Sequence, residues 1–128
     1  MERILLDTHA FIWWMNGDSR MGEIAKKCIA SASNEIYVSA ATVWEMSIKQ
    51  QMGKLITPDD IESSILEAGF SPLSITAFHG QQAGRLPLHH KDSFDRMLIA
   101  QAQAEGLKLM TKDECFLAYG IRTIDPIK

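Results

Sequence analysis

Arg3-Ile4-Leu5-Leu6-Asp7 is the first apolar run of the chain, and it ends in an acid. A short run of Ile and Leu without a polar interruption is typical of a strand that is buried on both faces of a parallel sheet. The same order returns near the end of the chain, where Lys108-Leu109-Met110-Thr111 precedes Asp113. If the two strands are parallel neighbours, both acids lie at one edge of the sheet, where open α/β sheets bind ligands.

Strand-like and helix-like segments alternate along the chain, which predicts a parallel sheet covered by helices on both faces. We expect strands over residues 3–7, 35–39, 72–75, 107–111 and 122–124, and helices over residues 8–15, 19–32, 40–52, 57–69, 76–84, 93–105 and 114–119. Ser19 is the expected cap of the second helix, and Thr57-Pro58 is the expected start of the fourth. Residues 85–92 are expected to be irregular, because Pro87 excludes a helix there. The 128 residues thus predict one α/β domain, residues 1–128, with three layers (α/β/α) and a central parallel sheet of about four to five strands.

The composition is that of an ordinary globular protein, with 46% hydrophobic and 23% charged residues. No apolar run approaches the roughly 18 residues of a membrane span, and the start, Met1-Glu2-Arg3, is unlike a signal peptide. Cys28 and Cys115 give no disulfide framework, and we expect both to be reduced core residues of a cytoplasmic protein that does not enter a membrane. The net charge of −3 argues against a basic protein that coats nucleic acid, but not against an enzyme that acts on it.

Glu45 and Asp95 begin two further helix-like segments, and with Asp7 and Asp113 they are expected to converge on one crevice. At ~5 Å and an effective dielectric of ~20, two carboxylates repel each other by roughly 3 kcal/mol. Acids at such spacing require a metal ion or shared protons, and an all-oxygen ligand set selects Mg²⁺ or Mn²⁺. The sequence therefore predicts a site for a hard divalent cation, and through it phosphate chemistry.

Each acid also has a structural explanation, which the sequence leaves open. These explanations are a helix cap for Asp7, capping boxes for Thr42–Glu45 and Thr111–Glu114, a first-turn position for Asp95 and a helix cap for Asp92. Only the joint placement of the acids at one edge of the sheet favours a functional site over four separate helix starts.

The histidines and cysteines do not show the spacing of a zinc site. Zinc prefers three or four ligands at short spacings, such as i and i+4 on a helix. His9, His79, His89 and His90 show no such spacing, and neither cysteine has a partner nearby in the sequence. We therefore do not expect zinc. His89 and His90 either contact a phosphate backbone, support the loop or are solvated, and His9 either lies near the metal or packs in the fold.

The aromatic and basic residues allow two interpretations each. Trp13, Trp14 and Trp44 are candidates for stacking on bases, but packing in the core or in an interface is the favoured interpretation. The run Phe11–Met15 is apolar on every side of a helix, so part of it is expected to contact another subunit or a partner. The basic residues are by default solvated surface charges, but four of them would flank the acidic edge and suit contacts with RNA: Arg85, Lys91, Arg96 and Lys112.

Several blocks of the sequence resemble PIN-domain ribonucleases, specifically the VapC-type toxins of bacterial toxin–antitoxin pairs. The blocks are Leu5-Leu6-Asp7-Thr8-His9, Ser39–Glu45, His90–Ala102, Thr111-Lys112-Asp113 and Phe116–Gly120. The resemblance covers nearly the whole chain, and the order and spacing of the first, third and fourth blocks make it specific. Ser93 departs from the family, in which proline is common at this position.

The resemblance implies a PIN-like fold and a metal-dependent endoribonuclease. The acids that match the catalytic metal ligands of the family, for one or two Mg²⁺ or Mn²⁺ ions, are Asp7, Glu45, Asp95 and Asp113. Hydroxyls matching Thr8 and Thr111 would orient ligands or waters, and Asp92 matches a supporting acid of one subgroup. The implied partners are an RNA substrate, a second copy of the chain in a homodimer, and a cognate antitoxin whose tail lies across the crevice.

Two other functions stay open at this stage. The first is a non-catalytic protein of the same fold that holds RNA or a partner, which the loss of one of the acids would indicate. The second is an aspartyl-phosphate phosphotransferase, whose first strand also ends in Asp, although such enzymes commonly have a second Asp where this chain has His9. The acids do not determine the RNA target, because that choice lies in loops such as residues 85–92.

Overall fold

The centre of the fold is a parallel β-sheet, seen in a computed structural model that describes residues 1–53 and 59–128. Within these residues the strands are β1 (Arg3–Leu6), β2 (Glu35–Ser39), β3 (Ser71–Leu73), β4 (Lys108–Met110) and β5 (Thr123–Ile124). They form one five-stranded sheet in the order β3-β2-β1-β4-β5, and every neighbouring pair is parallel. The predicted parallel sheet is confirmed, and β1 is its central strand.

Helices connect the strands and cover both faces of the sheet. The described helices are α1 (Thr8–Asn16), α2 (Glu23–Ala30), α3 (Ala40–Gln51), α4 (Ile61–Glu67), α5 (Ala77–Arg85) and α6 (Ser93–Glu105), followed by a 3₁₀ helix (Glu114–Tyr119). Most lie within one or two residues of the predicted bounds, because their caps and terminal glycines are local signals. Gly106, for example, ends α6 with a φ of +66°, a conformation that glycine adopts without strain.

Two hydrophobic cores result from the alternation of side chains along β1. Ile4 and Leu6 point to one face and pack with residues of α1, α2 and α4. Leu5 points to the other face and packs with residues of α6 and the 3₁₀ helix. All three side chains are fully buried. A central strand that is apolar on both faces thus requires helices on both sides, which confirms the predicted three-layer α/β/α arrangement.

The direction of strand addition reverses beside β1. The chain runs from β1 through β2 to β3 on one side, and then returns to place β4 on the other side. Parallel α/β sheets form a crevice at such a point, outside the carboxyl ends of the two strands. Asp7 follows β1, and its backbone N donates a hydrogen bond to Met110 O of β4 at 3.0 Å. The crevice therefore opens where the sequence places Asp7 and Asp113.

The start of α2 differs from the prediction. The helix begins at Glu23, not at Ser19, and Gly22 is its N-cap. Gly22 N donates to Pro126 O and Ile24 N donates to Lys128 O, both at 2.9 Å. Backbone carbonyl groups of the C-terminal residues therefore accept hydrogen bonds from the N–H groups at the start of this helix, which makes a side-chain cap unnecessary.

Three other predictions change in detail. The predicted start of the fourth helix at Thr57-Pro58 lies outside the described residues, and Asp60 caps α4 by accepting a hydrogen bond from Ser63 N at 3.0 Å. Helix α5 extends to Arg85, one residue into the segment predicted to be irregular. Cys115 is exposed, so its predicted core position is wrong. Among the described residues, no helix combines the length and the apolar character that crossing a membrane requires.

Candidate functional site

One crevice of about 400 Å³ gathers all four acids that were singled out from the sequence: Asp7, Glu45, Asp95 and Asp113. Its other lining residues are Thr8, His9, Lys49, Asp92, Lys112 and Phe116. The predicted convergence of the acids is thus present in the tertiary structure, while their catalytic role stays a prediction.

Asp7 lies deepest in the crevice, with 7% of its surface exposed. It ends β1 and caps α1, because its Oδ1 accepts a hydrogen bond from Ala10 N at 2.8 Å. Asp7 thus is the helix cap that the sequence offered as its structural explanation. This role uses Oδ1 and leaves Oδ2 for another ligand. Burial raises the pKa of Asp7 above its ordinary value, against hydrogen bonds from Ala10 N and the Thr111 side chain that lower it.

Thr111 connects Asp7 with Asp113. Its Oγ1 accepts a hydrogen bond from Asp113 N at 3.1 Å. Its side chain also faces the Asp7 carboxylate and lowers the pKa of that acid. One buried side chain thus lies between two of the acids.

Asp113 is the N-cap of the 3₁₀ helix, so the capping box predicted to start at Thr111 is not formed. Its Oδ1 accepts a hydrogen bond from Cys115 N at 2.9 Å, and its Oδ2 lies 4.0 Å from Nε2 of His90. A hydrogen bond with Asp113 and its negative charge raise the pKa of the Cys115 thiol. Cys115 is therefore a neutral thiol near pH 7 and not a thiolate nucleophile.

Glu45 lies in the second turn of α3, and the capping box predicted for it is wrong. Ser39 caps this helix, because its Oγ accepts a hydrogen bond from Ala41 N at 3.0 Å. Glu45 is held instead by two side chains: Thr8 Oγ1 donates to its Oε1 at 2.7 Å, and Lys49 Nζ donates to its Oε2 at 3.1 Å. Both carboxylate oxygens thus have a fixed partner.

Asp95 occupies the first turn of α6, as predicted, and Asp92 caps that helix. Asp92 Oδ1 accepts a hydrogen bond from Asp95 N at 3.0 Å. Nε2 of His90 lies 2.7 Å from Oδ2 of Asp95 and donates to it when the acid is ionised. Burial raises the pKa of Asp95, the His90 hydrogen bond lowers it, and the charge of Asp92 raises it.

Arg96 does not have the surface position that a contact with RNA requires. Its side chain points inward, and the residue is only 9% exposed. Nη1 donates to Pro87 O at 3.0 Å and to His90 O at 3.1 Å, and Nη2 donates to Ala83 O and Leu86 O at 2.9 Å. The guanidinium therefore holds the irregular segment after α5 in place, and with it His90.

The other three predicted RNA contacts occupy exposed positions. Lys112 lines the crevice, and its Nζ lies 5.3 Å from the ring centroid of Trp13, a cation–π contact. Arg85 and Lys91 are exposed but do not line the crevice. Trp13 is buried, as its predicted packing role requires, whereas Trp44 is 63% exposed and contacts Phe94 edge to face.

Two residues of the site were not assigned a place there from the sequence. Lys49 is one helical turn after Glu45, and this i, i+4 spacing of opposite charges is a signal that was available. His90 was expected to contact phosphate, to support the loop or to be solvated, and nothing in the sequence pairs it with Asp95. Its position depends on Arg96, which binds the backbone of the preceding segment.

The donor set fits a hard divalent cation. Carboxylates of Asp7, Glu45, Asp95 and Asp113 line the crevice. The hydroxyl of Thr8 orients Glu45, and that of Thr111 holds the backbone of Asp113. Oxygen donors of this kind suit Mg²⁺ and Mn²⁺. Burial is the largest cause of the raised pKa values of Asp7 and Asp95.

Comparison with known proteins agrees with this fold. Residues 4–121 match the sequence model of the PIN domain family. None of the curated protein sequences compared with the chain matches it significantly. Among solved structures, VapBC2 from Rickettsia felis bound to a promoter DNA fragment has a TM-score of 0.71 at 15% identity, covering 95% of this chain and 97% of that one.

Two further similar structures come from other bacteria. A toxin–antitoxin complex from Klebsiella pneumoniae has a TM-score of 0.63 at 19% identity, covering 96% of this chain and 97% of that one. VapC20 from Mycobacterium tuberculosis, a sarcin-ricin loop cleaving toxin, has a TM-score of 0.64 at 17% identity, covering 96% and 99%. The TM-scores establish a common fold with these proteins. The match of residues 4–121 assigns the family: the chain belongs to the PIN domain family.

Proposed function

We propose that this protein is a Mg²⁺- or Mn²⁺-dependent endoribonuclease that acts as the toxin of a toxin–antitoxin pair. The observation that carries the proposal is the convergence of four acids in one crevice at the carboxyl ends of β1 and β4. The description of the Mycobacterium tuberculosis relative as a cleaving toxin supports the same activity. A non-catalytic domain of this fold has no need for four converging acids.

Asp7 and Asp95 are the proposed principal metal ligands, and Glu45 and Asp113 complete the site directly or through water. A bound divalent cation lowers the pKa of a water and offsets charge on the phosphate. Neighbouring side chains hold these acids: Thr8 donates to Glu45, Thr111 accepts from the backbone N of Asp113, and His90 pairs with one oxygen of Asp95. Hydrolysis then requires no side-chain nucleophile, which agrees with the neutral thiol of Cys115.

RNA is the proposed substrate, held by cations around the acidic crevice. Lys112 lines the crevice and presents an exposed ammonium group that can pair with a phosphate. Arg85, at the end of α5, and Lys91, in the segment before α6, are exposed and are proposed as further contacts with phosphate. The amino ends of α1 and α6 lie at the same edge of the sheet and favour negative charge. A protein of net charge −3 thus still offers phosphate contacts where the chemistry takes place.

A cognate antitoxin and a second copy of the chain are the proposed protein partners. The Klebsiella pneumoniae relative is a toxin–antitoxin complex, which supports an antitoxin for this chain as well. On the α1–α2 side, Trp14 lines a small apolar groove of about 220 Å³, and Ile24 is 67% exposed. The exposed Trp44 and its neighbour Phe94 offer a separate apolar surface for a homodimer.

Replacing Asp95 by Asn tests the activity. We expect Asp95→Asn to fold normally but to lose Mg²⁺-dependent RNA cleavage and growth inhibition, because one ligand charge is removed. The matched control is Glu62→Gln, which neutralises an exposed acid in the first turn of α4. Sequencing RNA ends after brief expression would identify the target. Full cleavage by Asp95→Asn would overturn the assignment, and RNA binding without cleavage by the wild type would favour the non-catalytic alternative.

The partner is tested by co-expression with the product of the neighbouring reading frame. We expect a stable complex that inhibits cleavage, and Ile24→Asp should weaken it. Leu117→Asp is the matched control, because Leu117 is also exposed, at 57%, but belongs to the 3₁₀ helix on the other face of the sheet. Equal complex formation by both variants would exclude the α1–α2 surface.

A further inference from the structure

We propose that His90, Asp113 and Cys115 form a binding site for a borderline divalent cation such as Zn²⁺ at the rim of the acidic crevice. One donor atom from each side chain lies within 4.8 Å of the other two. The set offers nitrogen, oxygen and sulfur, whereas the four acids of the crevice offer oxygen. Nitrogen and sulfur ligands favour Zn²⁺ over Mg²⁺, so the two sites differ in the ion they select.

The spacing of histidines and cysteines in the sequence argued against zinc, because the ligands of this site come from two separate segments. His90 belongs to the irregular segment before α6, whereas Asp113 and Cys115 belong to the start of the 3₁₀ helix. Two of the ligands are adjacent in space through the helix cap, since Asp113 Oδ1 accepts a hydrogen bond from Cys115 N. The third ligand, His90, comes close to them because α6 and the segment before it pack beside the 3₁₀ helix.

The positions of the donors are fixed by neighbouring groups that are not ligands themselves. Arg96 binds the backbone carbonyl of His90 at 3.1 Å, and the His90 ring packs edge to face on Phe116 with centroids 5.8 Å apart. Oδ2 of Asp113 lies 4.0 Å from Nε2 of His90. Such outer contacts orient metal ligands and reduce the reorganisation that binding requires.

The spacing is compatible with tetrahedral coordination after a small movement. Zinc with bonds of about 2.0–2.3 Å keeps its donor atoms about 3.3–3.8 Å apart. Cys115 is exposed and can approach the other two by a change of its side-chain rotamer. A water molecule completes the fourth position, as in zinc sites that are open to solvent. When the ion binds, it replaces the thiol proton of Cys115, which is released to the buffer, and the ring proton of His90 moves to the nitrogen that does not bind the ion.

Occupation of this site would oppose the proposed nuclease reaction. Asp113 belongs to both donor sets, and His90 also holds Asp95 at 2.7 Å. A zinc ion at the rim therefore withdraws Asp113 from the all-oxygen site and draws His90 away from Asp95. This consequence rests on the proposed function, whereas the binding of the ion does not.

Zinc binding is measured by competition with a chromophoric chelator, at one fixed Mg²⁺ concentration for all variants, because Asp113 belongs to both donor sets. We expect Cys115→Ser to bind Zn²⁺ at least about tenfold more weakly than the wild type, since the loss of even an outer partner costs about 10- to 100-fold. The matched control is Cys28→Ser, which removes the other free cysteine and should bind as the wild type does. Co²⁺ should give a thiolate charge-transfer band in the wild type and in Cys28→Ser, but not in Cys115→Ser. Equal affinities of the wild type and Cys115→Ser, or the absence of that band, would overturn the proposal.

Cleavage assays separate this proposal from the proposed function. Cys115→Ser should cleave RNA with Mg²⁺ as the wild type does, because Cys115 does not line the crevice. It should also require at least about tenfold more Zn²⁺ for inhibition. Equal inhibition of the two proteins by Zn²⁺ would contradict the rim site. If neither protein cleaves RNA, the proposed function fails, and the binding comparison alone decides the zinc site.

Discussion

The hydroxyl of Thr8 donates a hydrogen bond of 2.7 Å to Oε1 of Glu45. Thr42 Oγ1 lies 3.3 Å from the same hydroxyl, and because Thr8 has only one hydroxyl hydrogen, Thr42 is the donor of that second contact. Both threonines are buried, so neither hydroxyl has water as an alternative partner. A chain of hydrogen bonds from α3 through the start of α1 thus orients Glu45 in the crevice.

Removing the Thr8 hydroxyl should weaken the metal site. We expect Thr8→Val, which keeps the shape of the side chain, to reduce the apparent Mg²⁺ affinity about 10- to 100-fold, as the loss of an outer partner does. Stability should fall by only about 1 kcal/mol, the usual contribution of one hydrogen bond. The measurement is the rate of RNA cleavage against Mg²⁺ concentration. Thr8→Ser retains the hydroxyl and should remain close to the wild type, and an equal loss in both variants would contradict the role of this bond.

Neutralising Asp7 should stabilise the protein when no metal is bound. Burial raises the pKa of Asp7, so the folded state holds this proton more tightly than the unfolded state does. The free energy of unfolding therefore decreases as pH rises from the unfolded pKa of about 3.9 through the higher folded pKa. Above that window Asp7→Asn should have a higher Tm than the wild type in EDTA, because Asn still caps α1. It should also lose cleavage.

Asp60→Asn is the control for this effect, because the pKa of Asp60 is shifted in the opposite direction. The exposed Asp60 caps α4, and its hydrogen bond with Ser63 N lowers its pKa, so its charge favours the folded state above the unfolded pKa. We expect no increase in Tm at neutral pH for this variant. Thermal unfolding of both variants in EDTA from acidic to neutral pH makes the comparison. A lower Tm for Asp7→Asn at neutral pH would show that burial of its charge does not destabilise the fold.

Arg96 should be required for stability rather than for RNA contact. Arg96→Lys keeps the charge but cannot reach four carbonyl oxygens in one plane. Each buried acceptor left unpaired costs roughly 1–3 kcal/mol, so we expect a loss of at least about 2 kcal/mol in urea unfolding. Arg85→Lys, at the exposed end of α5, is the matched control and should unfold as the wild type does. Unchanged stability of Arg96→Lys would mean that the segment after α5 is held by other contacts.

Gly22 should not tolerate a side chain. A methyl group there would overlap the backbone of Ile127 and Lys128. We expect Gly22→Ala to destabilise the protein by about 1–3 kcal/mol, the usual range for overpacking, or to displace residues 126–128. Gly80→Ala is the control, because nothing lies within 4 Å of its added methyl group, and it should stabilise α5 by up to about 1 kcal/mol. Chemical denaturation of the two variants should therefore give shifts of opposite sign.

Much of the site could be predicted from the sequence because its acids stand at the ends of regular elements. Asp7 follows an apolar strand, and Asp95 lies between a capping acid and an apolar helix, so local patterns fix the position of each along the chain. Their convergence followed from one further inference, that the strands are parallel neighbours. The capping boxes proposed for Glu45 and Asp113 were wrong, since Ser39 and Asp113 itself are the caps. A match of residue types at the right spacing does not decide which residue begins a helix.

The sequence by itself determined the alternation of strands and helices, the two-faced burial of β1 and the edge of the sheet where the acids meet. These features depend on side-chain periodicity and on caps, which act between residues close in the chain. Only the tertiary structure decided that Arg96 points inward, that α2 begins against the C-terminal backbone, and that His90 lies beside Asp95 and Cys115. These contacts join segments far apart in sequence, and the packing of two cores on the central sheet sets them.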